Sequence, residues 1–404
     1  MRLISILILF LIIDESAAQS LMLDKHINKQ EIRIAPAYAP EGYVTEIFEN
    51  VSYHKLDGAK SPVLQVYDFK IIDDKLVLMD VMGSQVNVYN KSGVFLNRIP
   101  ISKNHLFQNG GNLFSFDGEH IHFINILSDK RDSDTLFIDG LEYKSNGTLT
   151  KEFAANSRKI NGKIRRYDEF ARIGDTEFLK VGLEEIKKEK DNVIIKRKAG
   201  NETIDMLKID TTGLFKKPFS EYAMHPLFSY DKRSKAVFYS NPFTYEIVEL
   251  NSEGIKNVYR FILPADISAP DNLYTTDAYK KYGIGYFSTF PEKVAALTPV
   301  LRHKDYLIFS LKSQNTVGIY GYSLGEGTLI RLDKVIPDAS NNFFPVFSGF
   351  NQGITTDGEF LYSVVLRADI AQSRESLTPN TKLPKEFAEL AKSNTPILVK
   401  FKLK

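Results

Sequence analysis

The chain has 404 residues, 43% apolar and 25% charged, with a formal net charge of +2. These values exclude wholesale disorder and give no general case for nucleic-acid or anionic-membrane binding. Cysteine is absent, which removes disulfides, thiolate metal sites and an acylated-cysteine lipid anchor, while abundant Phe and Tyr favour stacked β-sheets.

In chain order, the first element is a leader. Arg2 precedes an unbroken apolar run, Leu3 to Ile13, and Ser16-Ala17-Ala18 offers small residues for cleavage. The run is shorter than the roughly 20 residues a membrane-spanning helix needs. We expect residues 1–18 to be a signal peptide, 19–404 to be one domain, and the protein to be periplasmic or secreted, with no transmembrane segment. Residues 30–34 can add a strand, and Val51–Leu56 is a strand with no sheet of its own.

Two kinds of turn then alternate. The first joins two β-like runs at Asp73-Asp74, Asp117-Gly118, Gly174-Asp175, Asp231-Lys232, His303-Lys304-Asp305 and Asp357-Gly358. The second ends in Gly, at Asn90–Gly93, Ser145–Gly147, Asp210–Gly213, Asn251–Gly254 and Gly325–Gly327. Asp, Asn and Gly satisfy the backbone locally and tolerate positive φ, as tight hairpins require. Each pair of turns marks a four-stranded antiparallel unit, and repetition on this scale indicates a propeller. The first class has one more member than the second, and the chain ends in an unpartnered strand, Ile397–Lys402. Pairing that strand with Val51–Leu56 completes the last unit and removes the open edges. The expected fold is an all-β, six-bladed β-propeller of four-stranded antiparallel blades. Its N-terminal strand completes the C-terminal blade, and short helical insertions lie on one face.

Several segments resemble an exported bacterial six-bladed β-propeller family, itself similar to NHL-type and TolB-type propellers. They are Val51–Leu56, Phe69–Asp80, Val86–Gly93 and Asn394–Lys404. The resemblance implies a fold and a compartment and transfers no catalytic motif. Many relatives in that family resemble lipoproteins, with a cysteine after the leader, and this chain departs from them there.

The tight turns share one end of every blade, so the long connections, roughly 100–111, 126–134, 154–166, 183–201, 264–297, 333–352 and 367–395, share the other. Long loops in compact domains carry function, so the ligand is expected on that face. In 266–297 a short helix (Asp271 to Tyr282) accompanies Tyr274, Tyr286 and Phe290, which form either a stacking platform or a satellite core. Asn341, Asn342 and Phe344 sit where they can line a channel mouth or pack against a neighbouring blade. Arg165, Arg166, Tyr167 and His225 lie near the starts of inner strands. Glu184–Lys198 interleaves acids and bases and reads as a solvated hairpin. His120 and His122 share one side of a strand but have no evident third ligand, so no metal and no cofactor is expected. The expected function is non-catalytic binding of a peptide, glycan or protein ligand by a monomer. The alternative is a channel-centred metal-dependent hydrolase, lactonase or lyase, which needs several polar ligands converging on the channel.

Overall fold

A computed structural model describes residues 27–58, 63–80, 82–83, 85–100, 112–115, 119–128, 136–144, 146, 148–153, 157–160, 163–181, 193–199, 202–208, 228–241, 245–270, 273, 276–282, 285–313, 317–349, 353–377 and 382–404. For parts of the second and third sheets below, only the backbone path is described.

The strands form six sheets. From the innermost strand outward, the first is Val66–Ile72, Lys75–Asp80, Gln85–Asn90 and Phe95–Pro100. The second is Asn112–Ser115, His120–Ser128, Leu136–Lys144 and Leu149–Phe153. The third is Lys163–Ile173, Thr176–Val181, Val193–Ala199 and Glu202–Lys208. The fourth is Phe228–Asp231, Ala236–Asn241, Glu246–Asn251 and Gly254–Ile262. The fifth is Ala296–His303, Tyr306–Lys312, Val317–Ser323 and Leu329–Arg331. The sixth is Thr355–Thr356, Leu361–Val365, Ile397–Leu403 and, outermost, Phe48–Lys55.

The strands of the first, fourth, fifth and sixth sheets are apolar on both faces because each of these sheets packs between two others. Successive side chains point to opposite faces. In the fourth sheet, Val237 and Tyr239 therefore pack toward the third, while Ala236 and Phe238 pack toward the fifth. Corresponding clusters lie between the first and second sheets, the fifth and sixth, and the sixth and first. The innermost strands touch first to second, third to fourth, fourth to fifth, fifth to sixth and sixth to first, and that of the second also meets that of the fourth. The fold is an all-β propeller.

The termini meet as expected: Ser52, Tyr53, His54 and Lys55 stand opposite Lys400, Val399, Leu398 and Ile397. The join is extended beyond the sheet, where Asp57 N–H donates to the carbonyl of Gly93, 2.9 Å away. Gly93 has a φ of +86°, and a Cβ there would lie 2.3 Å from the Lys55 carbonyl oxygen, so only glycine fits.

Three expectations need correction. Two sheets have five strands, not four. Asn28–Arg33 adds to the fourth sheet in parallel with Gly254–Ile262, and Ser157–Ile160 folds back antiparallel on 163–166. From the fourth sheet the N-terminal segment crosses the outside of the fifth, where Tyr43 bridges Ile336, before entering the sixth.

The third sheet was also misread. Its outer two strands pair up to Ala199 and Glu202, the expected turn Asp210–Gly213 lies outside the described residues, and Val193–Ala199 is its third strand rather than a solvated hairpin. Ile195 is fully buried against Leu179 and Leu207. The neighbouring charges have partners, Arg197 on the Ser252 carbonyl and Lys198 facing Glu177 at 3.9 Å, so a strand that reads as polar is held in a sheet. The third correction concerns the insertions. The helix expected over 271–282 spans Asp277–Tyr282 and is followed by Tyr286–Thr289, and 367–395 holds two more helices, Arg367–Leu377 and Lys385–Ala391. Among the described residues no helix is long and apolar enough to cross a membrane.

Candidate functional site

On the tight-turn face, ion pairs link turns of different sheets. The turn of the fourth sheet reaches across the ring, and Lys232 lies 3.3 Å from Asp73 in the turn of the first. Arg233 packs against Gly358 in the turn of the sixth. Lys91 then joins Asp74 at 3.0 Å to Asp357 at 2.7 Å, and Asp357 also accepts from the Tyr362 hydroxyl at 2.7 Å. Ion pairs thus link four turns on this face.

The other face holds a cavity of about 510 Å³ at the seam where the first and sixth sheets meet. Three segments wall it: Val63–Val66, Leu366–Ala368 and Asn394–Pro396. Each is fixed by a polar group. Asp80, fully buried at the end of an apolar strand, accepts from Leu64 N–H and Gln65 N–H at 3.0 Å each. It also accepts from Gly83 N–H at 3.1 Å and from Gln85 Nε2 at 3.4 Å. One carboxylate therefore holds both the 63–65 entry and the 82–83 turn, and from these Leu64 and Met82 each project 67% exposed. Asp369 caps the opposite wall, accepting from Leu366 N–H at 2.8 Å and Gly349 N–H at 3.0 Å. Arg367 donates to the Asn394 side chain at 2.8 Å and ties the second wall to the third. Apolar Val63, Leu64, Val66 and Leu366 alternate with Gln65, Arg367, Asn394 and Thr395. Such a surface can bury an apolar group while hydrogen-bonding a carbonyl or hydroxyl. Among the described residues no cluster of three or more His, Asp or Glu could hold a metal ion.

The residues expected from sequence are dispersed. Tyr286 is buried and Phe290 packs against the same cluster between the fourth and fifth sheets, with ring centroids 4.8 Å apart. That insertion is pinned by Tyr245, whose hydroxyl donates to the Val294 carbonyl at 2.6 Å and accepts from Ala269 N–H at 2.7 Å. Tyr286 and Phe290 thus belong to a satellite core, and burial pushes the Tyr286 hydroxyl pKa up. Asn341 and Phe344 are also buried. Asn341 donates to the Tyr53 hydroxyl at 2.9 Å and to the Phe344 carbonyl at 2.6 Å, so both serve the closing strand. Asn342 takes a left-handed conformation at the end of a short turn of helix, and its carbonyl accepts from Arg374 at 2.8 Å. Arg165, Arg166 and Tyr167 lie on the inner strand of the third sheet, where only the backbone is described. His225 and Tyr274 fall outside the described residues. His120 and His122 stand opposite Lys144 and Glu142 in the second sheet.

Sequence reasoning passed over the seam cavity. Asp80 was its one signal, an acid closing the apolar run Leu76–Met79 just before Gly83.

No protein-family model matches the chain, and no curated protein matches it. Among solved structures it is similar to an assumed exported protein from Bacteroides fragilis, at 16% identity and a TM-score of 0.61, over 93% of this chain and 100% of that one. It is also similar to a member of the DUF4221 family from Bacteroides vulgatus, at 11% identity and a TM-score of 0.45, over 88% and 97%. The first likeness shows a shared fold and nothing finer, and the second carries no argument. Fold and site together define an all-β propeller with ion-paired turns at one end and a cavity at its closing seam.

Proposed function

We propose that this chain is an exported, six-bladed, non-catalytic binding propeller that takes a peptide, glycan or protein ligand on its insertion-bearing face. Each of the six sheets is read as one blade, and the leader and the Bacteroides fragilis relative's name support export. One observation carries the reading: the seam cavity of about 510 Å³ is built from three separately anchored segments. Walls fixed before a ligand arrives lower the ordering cost of binding. Arg165, Arg166, Tyr167, His225 and Tyr274 remain proposed contributors to the same face.

The test is a glycan and peptide array probed with residues 19–404, followed by titration of the hits. Leu64→Ser and Arg367→Ala should each weaken binding at least about tenfold, the loss of roughly one good contact, while the melting temperature holds. Unchanged binding in both variants removes the cavity from the function. Melting in calcium, zinc and EDTA tests the alternative, since a rise of several degrees with metal would favour a metal-dependent hydrolase, lactonase or lyase.

A further inference from the structure

Of the residues that line the seam cavity, only Arg367 carries a charge. Its guanidinium sits between two of the three walls, donating to the Asn394 side chain at 2.8 Å, and it forms no ion pair among the described residues. The acid nearest in sequence, Asp369, is already engaged by the Leu366 and Gly349 N–H groups. One hydrogen bond leaves most of the planar guanidinium donors open, in the geometry that matches a carboxylate. Val63 and Pro396 are buried, whereas Gln65, Arg367 and Asn394 are exposed. A single ligand can therefore place an apolar group on the first pair and a carboxylate on the guanidinium, where the charge keeps contact with water.

The same lining narrows the ligand class. A pyranose packs its C–H face on an aromatic ring, and none lines the cavity. A plain alkyl chain would cover Gln65, Asn394 and Thr395 without pairing them, which is costly, whereas peptide amides would pair them. At about 510 Å³ the cavity has the size of a site that encloses a small ligand, which suits a chain end and not a folded domain.

We propose that the seam cavity takes the free C-terminal end of a peptide whose last residue is aliphatic, an assignment that rests on the binding role proposed for the cavity above. The terminal carboxylate lies in the fork of Arg367, the last side chain packs on Val63 and Leu64, and Gln65 and Asn394 bond the preceding amides.

The experiment is calorimetric titration with acetyl-Ala-Ala-Leu as the free acid, the same peptide as its C-terminal amide, and octanoate. We expect the acid to saturate wild type and the amide to bind about tenfold or more weakly. Arg367→Met should bring the acid down to the level of the amide while binding the amide as wild type does, which also shows that the variant is folded at the site. Leu64→Ser should weaken acid and amide alike. Equal binding of acid and amide by wild type, or an Arg367→Met variant that still prefers the acid, overturns the proposal. If Leu64→Ser weakens both peptides in that case, the cavity keeps its binding role and only the carboxylate assignment falls. Octanoate bound more tightly than the peptide overturns it in favour of a fatty acid. Failure of both peptides to saturate overturns it too, while array hits that depend on Leu64 would leave the cavity's binding role standing.

Discussion

The hydroxyl of Tyr53 donates to the carbonyl of Phe344 across 3.0 Å, although 291 residues separate the two in the chain. Tyr53 lies on the strand that closes the propeller, and its ring meets those of Phe344 and Phe387 edge-on at 5.4 and 5.9 Å. Burial, first of all, pushes its hydroxyl pKa well above the usual tyrosine range, so the group stays a neutral donor. Tyr53→Phe should lower unfolding free energy by about 1–2 kcal/mol, the worth of a buried hydrogen bond whose partners keep each other. Tyr53→Ala should lower it by about 3–5 kcal/mol. Urea unfolding measures both, and hydrogen exchange over residues 48–55 should rise in the alanine variant first.

His303 closes the inner strand of the fifth sheet, fully buried, with neither ring nitrogen hydrogen-bonded among the described residues. Burial, then Lys304, brings its pKa down to about 4, with Asp357 opposing and Arg233 and Lys402 adding to the fall. The unfolded chain, titrating near the ordinary 6.5, binds more protons than the folded one between those values. Stability from this residue is therefore complete above pH 6.5 and lost as pH falls toward 4, by no more than about 3 kcal/mol. His303→Leu should flatten that part of the stability profile. A variant that melts in parallel with wild type from pH 7 to 4.5 would show that His303 is not the group responsible.

The legible parts of the fold were those where turn chemistry and burial agree. Asp73-Asp74, Lys304-Asp305 and Asp357-Gly358 each sit between apolar runs, and each is a tight turn in the structure. The complementary end strands were legible for the same reason. Val193–Ala199 misled because its Lys and Arg residues have partners on neighbouring strands, which a linear pattern does not display. The aromatic insertion left two readings open. Tyr286 and Phe287 have the composition of a recognition platform as well as of a satellite core, and only their burial against the core shows that they pack. The seam cavity was hidden because its three walls are remote in sequence and join only after the ring closes.

Asp80 offers a test of how that cavity is held. Each of its carboxylate oxygens receives two donors, and an amide in its place would set an N–H₂ against two of them. Asp80→Asn should cost about 2–3 kcal/mol, the penalty of stranded buried donors. It should also raise amide exchange at Leu64, Gln65 and Gly83 together, because one group holds all three. Ligand affinity should fall alongside. Faster exchange at Gly83 alone would mean that the entry segment is fixed by something else.

Lys312 carries the opposite pH signature to His303. Burial, then the neighbouring charge of Lys70, lowers its pKa to about 8, with Asp68 opposing. Between pH 8 and the unfolded value of 10.5 the unfolded chain holds more protons, so this residue's contribution to stability rises with pH across that window. At pH 7, below both values, its penalty is complete and amounts to no more than about 3 kcal/mol. Lys312→Met keeps the length of the side chain and removes the charge. It should therefore melt higher than wild type at pH 7, with the advantage shrinking above pH 8 and gone near 10.5. A variant no more stable than wild type at pH 7 would mean that the ammonium is already compensated.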